Sequence, residues 1–226
     1  MGSRDGSLLE RLKGLLERTY GMPQVVDDIG RFVVGDAGYR RFYVSAPTAG
    51  AGAADGSGAR TLVRETDDAI RLSIYYPDAL IRCLEADSPE RGVRESNVDA
   101  FATLIEELDH FLCIAERAMH TRPLSLFELE LHANVSKYLV VARFMAGRSG
   151  TLGPRRRAWL RRRVLDKGAF CDEDPRIRQR YRDAAHWAGR FLNGFAGVPA
   201  QTRVAVLRRF HRAGTTGKLD LIQQLA

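Results

Sequence analysis

Asn97–His120, NVDAFATLIEELDHFLCIAERAMH, and Leu124–Met145, LSLFELELHANVSKYLVVARFM, are separated only by the breaker Thr121-Arg122-Pro123. Apolar side chains recur in both at spacings of three and four, the period of a helix with a buried stripe. A proline just past so short a break forces a turn, so the pair reads as a helical hairpin. In the first helix Phe101, Leu104, Leu108, Phe111, Leu112, Ala115 and Met119 share one broad face. Glu106, His110, Cys113 and Arg117 share the opposite face, which is expected to meet solvent. In the second helix Leu124, Phe127, Leu131, Val135, Tyr138, Ala142 and Met145 form one apolar face, and Leu126, Leu129, Ala133, Val140 and Phe144 form another. A helix apolar on two sides is central, so the narrow polar strips between must be partly desolvated and paired.

Those strips hold the residues with chemistry to offer. Glu106 and His110, then Glu128 and His132, lie four apart and therefore on one helical face each. Antiparallel packing about the turn sets His110 level with His132 and Ala133, and Glu107 level with Ser136. Glu106, Glu107, His110, Glu128 and His132 are thus candidate ligands for a divalent metal, the one cofactor the sequence suggests. Glu107-x-x-His110 has the i,i+3 spacing of carboxylate-bridged di-iron bundles. The second half of such a site is missing: the nearest later match is Asp183-x-x-His186, and His211 has no acidic neighbour in the chain. The favoured alternative is a structural hydrogen-bond network, with Glu128 accepting from His132, Glu130 reaching Lys137 through Asn134, and His110 nearer the surface. Cys113, three residues after His110, could pair with it, although an inert thiol is the simpler expectation. His186 and His211 sit in apolar helical patterns and are expected at the edge of the core.

Upstream, Ser7 can cap a helix over Leu8–Tyr20, and Gly21-Met22-Pro23 ends it. Strands are expected near Arg31–Val34, at Arg40–Ser45, at Arg60–Glu65 and at Ala69–Tyr76. The last two form an antiparallel hairpin about Thr66-Asp67-Asp68, because Ile70, Leu72, Ile74 and Tyr76 alternate. Between Pro47 and Ala59 lie Ala, Gly, Ser and Thr with a single Asp, so that 47–59 reads as a flexible loop without the GxxxxGK[ST] pattern of a phosphate cradle. Downstream come short helical stretches from Asp78 to Ala86, Pro175 to Phe195, Thr202 to Arg212 and Lys218 to Leu225. The fold class is α+β: a small antiparallel sheet in the N-terminal third and a mainly helical remainder built around the hairpin. Residues 1–90 and 91–226 are expected to form one unit.

The net charge of +7 and pI near 9.7 raise polyanions as partners. Of the 35 basic side chains, however, only Lys13, Lys137, Lys167 and Lys218 are lysines, and Ala and Gly abound. GC-rich codon usage produces that composition without selection for binding, which points to a high-GC bacterial source. The densest basic run, Arg155, Arg156, Arg157, Arg161, Arg162 and Arg163 around Trp159, could contact phosphates while the indole stacks on a base. A solvated helix answering Asp172, Glu173 and Asp174 is the simpler reading. Cys83, Cys113 and Cys171 form neither a disulfide framework nor a zinc ribbon, and no stretch is apolar enough to span a membrane or direct secretion. The sequence therefore suggests a non-enzymatic cytoplasmic binding or adaptor protein whose partner is another protein, with weak nonspecific nucleic-acid contact. The rivals are a metal-dependent enzyme using the Glu/His pairs and a nucleic-acid-binding regulator using Arg155 to Arg163.

Overall fold

Helix α1 (Leu8–Tyr20) begins where the Ser7 hydroxyl accepts the Glu10 amide and ends at Gly21, whose left-handed backbone (φ 69°) a side chain would strain. A computed structural model describes residues 6–44, 58–65, 69–120, 122–166 and 174–225. After α1 come β1 (Val33–Val34), α2 (Asp36–Tyr39), β2 (Arg60–Glu65), β3 (Ile70–Tyr75) and α3 (Asp78–Ala86). The long pair follows, α4 (Val98–Met119) and α5 (Leu126–Ala146), and then α6 (Pro154–Val164), α7 (Pro175–Ala196), α8 (Arg203–Arg212) and α9 (Thr215–Leu225). One hydrophobic cluster, from Leu12 to Ile222, joins α1, β3 and the helices from α3 to α9.

The α+β, mainly helical expectation is met, with changes in the sheet. Its order is β1-β3-β2: β2 and β3 pair antiparallel as expected, with Thr61 opposite Ile74 and Val63 opposite Leu72, but β1 joins β3 in parallel. The expected strand at Arg31–Val34 shrinks to two residues after a 3-10 turn at Ile29–Phe32, whose start the Asp28 carboxylate caps. The expected strand at Arg40–Ser45 is wrong. Residues Asp36–Tyr39 form a helical turn that widens into a π-turn over Arg40–Val44, and the Asp36 carboxylate takes the Tyr75 hydroxyl at 2.8 Å. Local apolar alternation there lost to a helical start anchored on β3. Ser45, residues 47–57 of the expected loop and the Thr66–Asp68 turn lie outside the described residues. Along β3 burial rises from Ile70, 46% exposed, to Ile74 and Tyr76, both enclosed. Only the Tyr75 end of β3 is thus covered, where the neighbouring Tyr76 donates to the Leu104 carbonyl of α4 at 2.8 Å.

Helix α4 carries the largest correction. Its broad apolar face meets α1, α3 and β3, but the face expected in solvent is the interface with α5. His110 and Cys113 are buried as a result. Helical periodicity reveals the apolar face of a helix and cannot reveal that the polar face is covered too. The antiparallel level of the hairpin is as expected: Glu106 meets Lys137, Asp109 meets His132 and Arg117 meets Glu128. Ser125 caps α5 by accepting the Glu128 amide at 3.1 Å, which moves the helix start past Leu124. Asn97 precedes α4 but does not cap it; its side chain instead ties the carbonyls of Asp87 and Gly92 to the Arg94 amide.

Helix α5 is central, enclosed by α4, α6 and α7. Leu131 and Val135 are fully buried on its inner face. Emptying such a site removes transfer energy and leaves a cavity, so Leu131→Ala is expected to cost about 2–5 kcal/mol in denaturant unfolding. A loss below about 1 kcal/mol, the scale of surface changes, contradicts the central placement.

Candidate metal centre

The residues predicted to form one site fall into two. Glu106, Glu107 and His110 gather with Glu130 on one side of the α4–α5 interface, whereas Glu128 and His132 lie in a different cluster with Asp109, Cys113, Glu116, Arg117, His211 and Lys218. The second cluster is the deeper one. Its α4 members, Asp109, Cys113, Glu116 and Arg117, form a stripe at helical spacing, and Glu128, His132 and Ser136 form the facing stripe on α5.

His132 does not bond Glu128, as the sequence suggested. Its Nδ1 lies 2.8 Å from Asp109 Oδ2, and its Nε2 lies 3.1 Å from Nδ1 of His211. The other nitrogen of His211, Nε2, lies 2.7 Å from Glu116 Oε2. Two imidazoles are thus each backed by a carboxylate and face one another with the remaining nitrogen. The Cys113 sulfur lies 3.4 Å from His132 Nδ1, and Cys113 Sγ, a ring nitrogen of His132 and one of His211 all fall within 4.8 Å of one another. A cavity of about 10 Å³, lined by these residues with Glu128, Arg117 and Lys218, adjoins them, close to the size of one water-sized sphere.

The surroundings fix each ring. The Tyr20 ring packs on His132 at 4.4 Å between centroids, and its hydroxyl bonds Ser136 at 2.7 Å. Lys218, at the start of α9, donates to the carbonyls of Phe210, His211 and Ala213 at 2.7, 3.1 and 2.6 Å. These are the last carbonyls of α8 and its exit, which a helix leaves without intrahelical donors, so the lysine, with Arg117 reaching the His211 carbonyl at 3.4 Å, holds the end of α8 that presents His211. Glu128 is answered by Arg117 at 2.8 Å and by Lys218 at 3.5 Å.

Charge follows from this packing. Burial pushes the Asp109 and Glu116 carboxyls up, but the histidine each one faces outweighs it, so both stay below their ordinary values and ionised. Burial lowers His132, and Asp109 offsets that only in part. Burial, with the Asp109 charge, keeps the Cys113 thiol well above its usual range. Lys218 is lowered by burial to about 8. Three hydrogen bonds in series, Asp109 to His132, His132 to His211 and His211 to Glu116, need one proton each, and two neutral imidazoles supply only two. The string closes with a third proton between His132 and His211, or with a cation in its place.

In the first cluster His110 Nδ1 is 3.7 Å from Glu107 Oε2, and His110 Nε2 is 3.8 Å from Glu130 Oε2. Burial would lower His110, but Glu107, Glu130 and Glu106 push it up to about 9. Burial raises Glu130 to about 7. Lys137 answers Glu106 at 2.9 Å rather than Glu130, and Asn134 turns to the Glu130 carbonyl. Glu128 and His132 are buried as expected, at 4% and 2% exposed; His110, whose face was expected in solvent, is buried too, although at 8% it lies nearer the surface than they do.

Sequence reasoning missed Asp109, Glu116, His211 and Lys218. His211 has its acidic neighbour in space, not in sequence. The one available signal was the Asp109, Cys113, Glu116, Arg117 stripe beside Glu106 and His110, too polar for a face that merely lines a core.

The arginine run forms α6, with Leu160 and Val164 packed inward. Arg163 pairs with Glu95 and Asp99, Arg161 with Asp166 and Asn193, and the Trp159 indole donates to Glu95. Arg155, Arg156, Arg157 and Arg162 face solvent. Asp172 and Glu173, the acidic partners expected from sequence, lie outside the described residues. No helix among the described residues is long and apolar enough to cross a membrane. Comparison of the chain with protein-family models, curated proteins and solved structures returned no match.

Two outcomes are expected. Because His110 holds its proton more tightly folded (about 9) than its ordinary 6.5, its stabilising contribution is complete below pH 6.5 and is lost as pH rises through 9. Denaturant unfolding in chelator should show stability falling from pH 6.5 to 9 in the wild type and a flatter profile in His110→Gln; parallel profiles refute the assignment. Nucleic-acid binding should be weak and independent of sequence, and replacing Arg155, Arg156, Arg157 and Arg162 by Gln should flatten its salt dependence. Tight, sequence-selective binding at physiological salt contradicts this.

Proposed function

We propose that the chain is a non-enzymatic, metal-binding protein in which a first-row transition ion, Zn²⁺ above all, joins α4, α5 and α8 through Cys113, His132 and His211. The observation that carries the reading is the facing pair of imidazole nitrogens, each ring backed by its own carboxylate, with the Cys113 sulfur within 4.8 Å of a nitrogen of each ring. Histidine ligands ordinarily donate their other N–H to a carboxylate or carbonyl, which fixes tautomer and ring orientation. Asp109 and Glu116 stand where those partners belong. Sulfur with two imidazoles is a donor set suited to zinc.

Charge supports the same reading. Asp109, Glu116 and Glu128 face Arg117 and Lys218, which leaves one negative charge, and a Cys113 thiolate makes it two. A divalent ion brings the cluster to neutrality; in its place the cluster holds two protons, one between the imidazoles and one on sulfur. Cys113, His132 and His211 are 4%, 2% and 4% exposed. The three donors leave the fourth tetrahedral position to the adjoining cavity of about 10 Å³, which has room for a water and none for a substrate. The protein is read as cytoplasmic, where the thiol stays reduced, and as the partner of another protein, with weak nucleic-acid contact through the exposed arginines of α6 as a secondary property.

Chelator-stripped protein refolded with Co²⁺ should show the visible bands of a tetrahedral site and a thiolate charge-transfer band in the near ultraviolet. Cys113→Ser should lose the charge-transfer band, and His211→Gln should lose the tetrahedral spectrum. Zn²⁺ at 100 times its Kd should add about 2.7 kcal/mol of stability to the wild type. Neither spectrum nor stabilisation, in a protein that folds fully with chelator present, identifies the cluster as a shared-proton network and overturns the proposal.

A further inference from the structure

On the other side of the α4–α5 interface, Glu130 and His110 present buried polar atoms to one another without using them. Both residues are more than nine-tenths buried, and neither His110 Nε2 nor Glu130 Oε2 has a hydrogen-bond partner. They stand 3.8 Å apart, too far for a hydrogen bond. A buried donor or acceptor left without a partner is costly, and this cluster leaves two such atoms facing one another. Glu106, one helical turn before His110, brings a carboxylate oxygen within 4.8 Å of both. We infer that Glu106, His110 and Glu130 bind a second, exchangeable divalent cation of the Mn²⁺, Fe²⁺ or Zn²⁺ type, through two carboxylates and one imidazole.

The distances suit the assignment. Oxygen and nitrogen ligands sit about 2.0–2.2 Å from such an ion, so two of them on one ion are separated by up to about 4 Å, the interval seen between His110 and Glu130. The far side of the ring is prepared as well. His110 Nδ1 faces Glu107 Oε2 at 3.7 Å, and Thr61 of β2 donates to that same oxygen at 2.9 Å. Glu107 is thereby a positioning residue: it faces Nδ1 and leaves Nε2 to the two other carboxylates, and on metal binding it would close the remaining gap to the hydrogen bond found behind metal-bound histidines. A bridging water is the competing occupant. It could satisfy both free atoms, but it adds no charge to a cluster in which Glu106, Glu107 and Glu130 meet Lys137, whose contact to Glu106 is 2.9 Å, and the proton held by His110. A divalent ion satisfies the atoms and takes the place of that proton, so that three carboxylates, Lys137 and the ion sum to zero.

The two sites differ in kind. The Cys113 site is closed and contains sulfur; this one is oxygen-rich, and the Glu106 side chain is 24% exposed. Mn²⁺ favours carboxylates and disfavours thiolate, so it reads the second site independently of the first.

The test is titration of the chelator-stripped wild type with Mn²⁺ alone, followed by the loss of the free-ion paramagnetic resonance signal. One Mn²⁺ bound per chain is expected in the wild type and unchanged in Cys113→Ser. Glu130→Gln and His110→Gln should each weaken it at least 10-fold, and Glu107→Gln, which touches only the back of the ring, about 10–100-fold. No saturable Mn²⁺ binding, or binding unchanged in Glu130→Gln and His110→Gln, overturns the inference and leaves water in the gap. Should one of these variants fail to fold, calorimetric Zn²⁺ stoichiometry decides. Two ions per wild-type chain and one per Cys113→Ser chain support the second site. A single ion lost in Cys113→Ser refutes it, and a single ion kept in Cys113→Ser supports it while refuting the Cys113 site.

Discussion

Two ring nitrogens, His132 Nε2 and His211 Nδ1, meet at 3.1 Å inside the protein, each on an imidazole whose other side is held by a carboxylate. That contact is the constraint on which the rest depends. Lone pairs cannot face each other at this distance without something positive between them, and burial excludes bulk water as the remedy. Whatever occupies the gap, proton or metal, links α4 and α5 to α8 by electrostatics where the rest of the core links them by packing.

The surrounding structure is arranged to hold that contact. Lys218 secures the carbonyls at the end of α8 and so the backbone from which His211 projects. Tyr20 reaches from α1 to pack on His132 and to bond Ser136 one turn further along α5. Arg117 and Lys218 answer Glu128, which keeps a third carboxylate from being buried alone. Removing one partner from such a set leaves an uncompensated charge, so the members are expected to depend on one another more than their separate hydrogen bonds suggest. The same two helices carry the Glu106, His110 and Glu130 cluster on their other side. A single antiparallel register therefore fixes both polar clusters.

This explains how much of the molecule could be read from its residues. The hairpin, its register, the β2–β3 pairing and the central place of α5 follow from periodicity and turn chemistry, which are local. The parallel pairing of β1 and the helical turn at Asp36–Tyr39 depend on contacts with β3 some 40 residues away, and no local pattern announces them. The Glu/His pairs drew attention to the right helices but suggested the wrong partners. Glu128 sits beside His132 in sequence, yet Arg117 and Lys218 claim it, while Asp109 from the facing helix claims His132. His211 carries no signal in its own neighbourhood, since its carboxylate comes from α4. Spacing along one helix shows which residues share a face, and only packing shows what that face meets.

The functional account rests on the occupant of the His132–His211 gap being a metal ion. X-ray absorption at the zinc edge, on protein refolded with one equivalent of Zn²⁺, reports that occupant directly. The account predicts a first shell containing one sulfur at about 2.3 Å with nitrogen at about 2.0–2.1 Å, the sulfur being lost in Cys113→Ser. A shell of oxygen and nitrogen alone, identical in wild type and Cys113→Ser, contradicts it.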